Sequence, residues 1–172
     1  IFGEEVYAVG TQAPASLEYI KTHHPEIGAE WEKLLARIAE MTVEEAMATI
    51  QHYVVTHPRL HYHLYTGEID KTLFYGLKKR VEAGTLEGTE YLDLVLRLNG
   101  GTCGEMSLIG LTLLRLAGIP TGLSVGNLAD EKGRVPRLRH VWPEVILPYG
   151  EEKFSGLPVE CSSSLMGTGS DT

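Results

Sequence analysis

Two side chains of this sequence could serve as nucleophile and base of a thiol-dependent site: Cys103 and His140. A cysteine attacks as the thiolate, so it needs a helix N-terminus or a cationic neighbour, and enough exposure to meet a substrate. Cys103 follows Gly100-Gly101-Thr102 and opens a long apolar run, where a glycine-rich turn becomes a helix. Free amides and the helix dipole favour negative charge at such a point. Gly100, Gly101 and Gly104 leave space there for a substrate backbone. Cys161 has no comparable setting and reads as a buried, inert thiol, the usual fate of a free cysteine. Two cysteines in 172 residues do not make a disulfide framework.

The base must come from elsewhere in the fold and be oriented by a third group. His140 opens the segment His140-Val141-Trp142-Pro143-Glu144-Val145, while the other six histidines lie between residues 23 and 63. Glu144 shares a strand face with His140 but sits roughly 13 Å along it, beyond hydrogen-bond reach. Glu160 is the better orienter. A hairpin turning at Pro148-Tyr149-Gly150-Glu151, centred near residue 150, places Glu160 opposite His140 and points Cys161 to the other face. The backbone N–H of Cys103 is the expected oxyanion donor, and Asn99 and Tyr91 both stand open as the second. His57, His61 and His63 have spacings that a metal could use. Tyr62, Leu64 and Tyr65 among them favour a mixed surface strand or loop, and no metal or cofactor is expected.

The elements that must position these groups are legible in outline. Trp31, Leu34, Leu35 and Ile38 mark one buried helix face. Thr42 and Glu45 form a capping-box pair that opens a second helix bearing Val43, Ala46, Met47, Ile50 and Val54, closed at His57-Pro58. A third helix is predicted over 70–83, with Asp70 as N-cap and Gly84 at C′. A fourth runs over 89–98 and stops at Asn99-Gly100-Gly101. The fifth, 103–117, is apolar nearly all round and is therefore central, with Gly118 and Pro120 ending it. Strands are predicted over 121–127, 139–147 and 157–163, with a polar loop over 128–138. Helices first and strands later make an α+β fold, with a central buried helix packed on a small antiparallel sheet.

Gly101-Thr102-Cys103-Gly104-Glu105, then Arg115-Leu116-Ala117-Gly118-Ile119-Pro120, then His140-Val141-Trp142-Pro143-Glu144-Val145 occur in order. Together, over roughly residues 90 to 163, they resemble the transglutaminase-like superfamily. The resemblance implies a papain-like α+β core, a Cys–His–Asp triad, a thioester intermediate and acyl transfer on amides by hydrolysis or transamidation. Cys103 and His140 match its first two members, and Glu160 stands where the family carries Asp. The calcium-dependent members need acidic loops and domains with no counterpart here, so the implied site works without metal. The expected division is a helical region at 1–88, part of the same domain or an annex, a catalytic core at 89–164 and a flexible tail at 165–172. The competing expectation is a catalytically degenerate domain that serves as a protein- or peptide-binding module.

The expected partner is a peptide or protein substrate. A net charge of −8 argues against non-specific nucleic-acid binding. The most apolar stretch, 108–120, is too short and too polar to span a bilayer, and no signal-peptide pattern opens the chain. The first residue is Ile1, which suggests an excised or processed part of a larger protein.

Overall fold

The computed structural model describes residues 10–62, 87–127, 139–148 and 154–162. The helix expected over 70–83, His63, the 128–138 loop, the turn at 149–151 and the tail at 165–172 lie outside the described residues. In chain order the elements are α1 (Leu17–His23), α2 (Pro25–Ile38), α3 (Val43–Thr56), β1 (His61–Tyr62), α4 (Gly88–Arg97) and β2 (Gly100–Gly101). They continue with α5 (Cys103–Leu116), β3 (Thr121–Asn127), β4 (Arg139–Pro148) and β5 (Phe154–Pro158). Strands β3, β4 and β5 form an antiparallel sheet in that order, and β1 pairs in parallel with β2. The arrangement is α+β.

Helix α5 is the centre. Every residue from Glu105 to Leu114 is buried, as its lack of a polar stripe requires. It ends in a Schellman motif: Gly118 takes φ +77°, Ile119 N–H donates to the Leu114 carbonyl, and Gly118 N–H donates to that of Arg115. Arg115 then locks the turn into β3, donating from Nε to the Thr121 carbonyl at 2.9 Å and from Nη1 to the Gln12 carbonyl at 2.9 Å. The Arg-x-x-Gly-Ile-Pro segment therefore builds the helix-to-strand corner.

Helices α2 and α3 pack their apolar faces into the same cluster as α5, with Trp31, Ile38, Ile50 and Val54 buried beside Ile109, Leu113 and Leu114. The Thr42–Glu45 capping box is present, and α3 stops where His57 turns extended before Pro58. The short α1, absent from the sequence reading, is capped by Ser16 and crosses α2 closely. A Cβ on Gly28 would lie 2.5 Å from Lys21 Cα. His57 is fully engaged: Nε2 meets Glu30 at 2.6 Å, and Nδ1 accepts from the N–H groups of Arg59 and Leu60. That bonding makes His57 a tie between helices and leaves it no lone pair for a metal. Among the described residues no cluster of His, Cys, Asp and Glu could hold a metal ion, and no helix is long and apolar enough to cross a membrane.

The third strand corrects the expectation of 157–163. It runs Phe154–Pro158, with Val145 opposite Leu157 and Glu144 opposite Pro158. Val159 N–H still donates to the Pro143 carbonyl at 2.9 Å, but Pro143 has no N–H with which to answer, so the ladder stops. The register also differs from the expected one. Continued, it would set Trp142 rather than His140 opposite Glu160. The slip is two residues, so the facing survives: Glu160 stays on the His140 side and Cys161 on the other.

Cys161 packs against Gly110 at the middle of α5, where a Cβ on Gly110 would lie 2.4 Å from Cys161 Sγ and 3.4 Å from Pro143 Cγ. Gly110→Ala is expected to cost about 1–3 kcal/mol through overpacking. Thermal denaturation would read this as a lower Tm, and an unchanged Tm contradicts so close an approach.

Candidate functional site

The site forms where the N-terminus of α5 meets the beginning of β4. Cys103 is the first residue of α5 and is partly exposed. Ahead of it, Asn99 has φ +58° and Gly100 φ +112°. A Cβ on Gly100 would lie 2.3 Å from the His61 carbonyl oxygen, so glycine here lets β2 lie against β1. Gly104, by contrast, faces open space. Of the three glycines expected to admit a substrate, Gly104 has that freedom, while Gly100 serves packing.

Glu105 reaches back to the start of α5, accepting from Thr102 N–H at 2.8 Å and from the Thr102 hydroxyl. The hydroxyl of Tyr91, on α4, donates to the same carboxylate. Tyr91, considered as an oxyanion donor, spends its hydroxyl proton on Glu105. This Thr-x-x-Glu pair is a capping-box signature like that of Thr42 and Glu45 at α3. The same pattern would have located Glu105.

Ser107 lies one turn into α5 and donates to the Val141 carbonyl at 2.8 Å. The N–H of Val141 lies on the side of the Cys103 thiol, where it favours the thiolate. Between them these contacts bring His140, 1% exposed, beside the thiol. His140 Nε2 lies 2.6 Å from Glu160 Oε2. Its Nδ1 is buried and, among the described residues, has no hydrogen bond of regular geometry; the Cys103 thiol is the acidic group beside the ring. Trp142 stacks on the imidazole, with centroids 5.7 Å apart and planes 27° from parallel. The indole rests on Gly126, where a Cβ would meet it at 2.7 Å. Glu160 is held from behind: its Oε1 accepts from Ser162 N–H at 2.7 Å and from Ser162 Oγ at 2.6 Å. Cys103, His140 and Glu160 are thus brought together. Glu144 is occupied elsewhere, bonded to Ser124 and seated over Gly156.

Charge follows from these contacts. Burial pushes the Cys103 thiol up, but His140 and the Val141 N–H outweigh it, and the pKa lies below its ordinary 9.0. Burial pushes His140 down, yet Cys103 and Glu160 raise it to about 9. Burial likewise works against the Glu160 carboxylate, and His140 with Ser162 brings its pKa below 4.5. A lowered thiol beside a raised imidazole favours the thiolate–imidazolium pair. Cys161 behaves oppositely, its thiol pushed well above the ordinary range by burial.

No curated protein matches the chain. Among solved structures, the periplasmic domain of TgpA from Pseudomonas aeruginosa bound to ethylmercury is similar at 17% identity and TM-score 0.49, over 86% of this chain and 46% of that one. The same domain in a second structure is similar at 19% identity and TM-score 0.45, over 76% and 40%. This chain therefore spans less than half the length of those proteins. Residues 66–151, which hold Cys103 and His140 and end before Glu160, match the model of the transglutaminase-like superfamily, and the chain belongs to that superfamily.

Proposed function

We propose that the protein carries out thiol-dependent acyl transfer on amide bonds, with Cys103 as nucleophile, His140 as acid and base, and Glu160 as the group that orients His140. The observation that supports this most is the pairing of a thiol of lowered pKa, at a helix N-terminus, with a buried imidazole whose far nitrogen is held by a carboxylate. In the first step the Cys103 thiolate adds to an amide carbonyl. The imidazolium of His140 then gives its proton to the departing amine, leaving a thioester. In the second step water or another amine attacks the thioester, His140 takes its proton, and the thiol leaves as thiolate. Developing negative charge on the carbonyl oxygen falls near the start of α5, where the N–H of Cys103 is the proposed donor.

The substrate class proposed is a peptide or protein, bearing a backbone, side-chain or isopeptide amide. Glu160 in place of an aspartate fits the proposed role, because its carboxylate meets Nε2 at hydrogen-bond distance.

Alkylation by iodoacetamide at pH 6 tests the activation directly. Cys103 is expected to react at least roughly tenfold faster than Cys161, and His140→Ala to remove most of that advantage. Equal, slow labelling of both cysteines overturns the proposal. Turnover of a blocked glutaminyl dipeptide with hydroxylamine, read as hydroxamate, should give a bell-shaped pH profile. Activity rises as Cys103 ionises below its ordinary 9.0 and falls as His140 loses its proton around 9. A profile still rising through pH 10 would speak against an imidazolium acid.

A further inference from the structure

We infer that Ser162 is a positioning residue for the site: it locks the Glu160 carboxylate into the one orientation that lets a glutamate hold His140. This rests on the function proposed above and deepens it.

Glutamate has one more rotatable bond than aspartate and reaches farther, so its carboxylate must be both drawn back and fixed. The structure does this within three residues. The ladder between β4 and β5 ends at Glu144–Pro158, and the chain beyond it turns so that Ser162 N–H comes back to Glu160 Oε1 at 2.7 Å. The Ser162 hydroxyl adds a second donor to the same oxygen at 2.6 Å. With Oε1 held twice, Oε2 is presented to His140 Nε2 at 2.6 Å. Ser162 is completely buried, so water does not substitute for its hydroxyl. Hydrogen bonds to an ionised carboxylate are stronger than neutral ones and fix geometry as well as charge. Among the described residues, the ionisable groups that bear on Glu160 are His140 from β4 and Cys161 next in the chain, with Cys103 of α5 acting through His140.

The test compares Ser162→Ala and Ser162→Thr with the parent, each also combined with Glu160→Ala. Two measurements need no substrate: the downfield proton resonance of the His140 Nε2–H···Glu160 bond, and the pH dependence of Cys103 alkylation. Ser162→Ala keeps the backbone donor and loses the hydroxyl. It is expected to broaden or abolish the downfield resonance and to slow alkylation at pH 6 by roughly three- to tenfold. Ser162→Thr keeps both donors and should preserve both readouts. In the Glu160→Ala background, the Ser162 substitution should have no further effect on alkylation. A sharp, unshifted resonance in Ser162→Ala overturns the inference. So does an equal slowing with and without Glu160, which is the mark of a general structural role. If Ser162→Ala does not fold, Ser162→Cys takes its place as a near-isosteric weaker donor, and a parent-like resonance in it overturns the inference equally. Failure of the acyl-transfer reading looks different: His140→Ala then leaves Cys103 alkylation at the parent rate, while the resonance still reports whether Ser162 positions Glu160.

Discussion

The site depends on what becomes of the backbone polar groups of one residue, Val141. Its carbonyl accepts from Ser107 of α5, and its N–H lies on the side of the Cys103 thiol and favours the thiolate, so this peptide segment of β4 is tied to the beginning of α5. Pro143, two residues along the same strand, turns its carbonyl to the Val159 N–H beyond β5. Val141 has the same parity and would look for partners on that side. Because the ladder has ended by then, Ser107 of α5 bonds the Val141 carbonyl instead. The beginning of β4 is thereby bonded to α5 through Ser107, and His140 is carried towards Cys103 as a consequence.

Burial works against every charge in this cluster. The thiolate, the imidazolium and the Glu160 carboxylate are each disfavoured by desolvation, and each is sustained by its neighbours. The ionised form of each is favoured by its neighbours against that burial, and Glu160 also by the two Ser162 donors. Glu105 works the other way on the thiol, since its charge raises the Cys103 pKa. The helix needs that carboxylate for its own N-terminus, and Thr102 and Tyr91 hold it with three hydrogen bonds on the capping side. Stability of α5 and acidity of its first residue are therefore set against each other within three positions.

The helical first part is bound into this arrangement by polar ties as well as apolar packing. Arg115 at the far end of α5 fixes the segment before α1 through the Gln12 carbonyl. His24, between α1 and α2, meets Asp93 of α4 at 2.8 Å, and Asp93 also holds Arg97. Strand β1 closes on the glycines ahead of Cys103, with His61 N–H donating to the Asn99 carbonyl at 3.0 Å. The turn that leads into Cys103 is thus fixed against β1.

Local sequence determined the helices and strands whose chemistry is local. The apolar run after Cys103, the Gly118 stop, the capping box at Thr42 and the two strands after Pro120 depend on neighbours within a few residues, and each lies where its pattern placed it. Cys103 and His140 were legible as chemistry because a glycine-rich helix start and an ordered set of motifs surround them. The hairpin register expected from the sequence is two residues off, yet Glu160 lies on the His140 side because strand facing repeats every two residues. The tertiary structure alone decided that Pro143 ends the ladder, that Val141 is shared with Ser107, that Ser162 backs Glu160 and that Trp142 covers His140. Those are contacts between groups far apart in the chain or set by where a strand breaks off. No periodicity encodes them, since each depends on which backbone donors and acceptors remain unpaired once helix and sheet have packed.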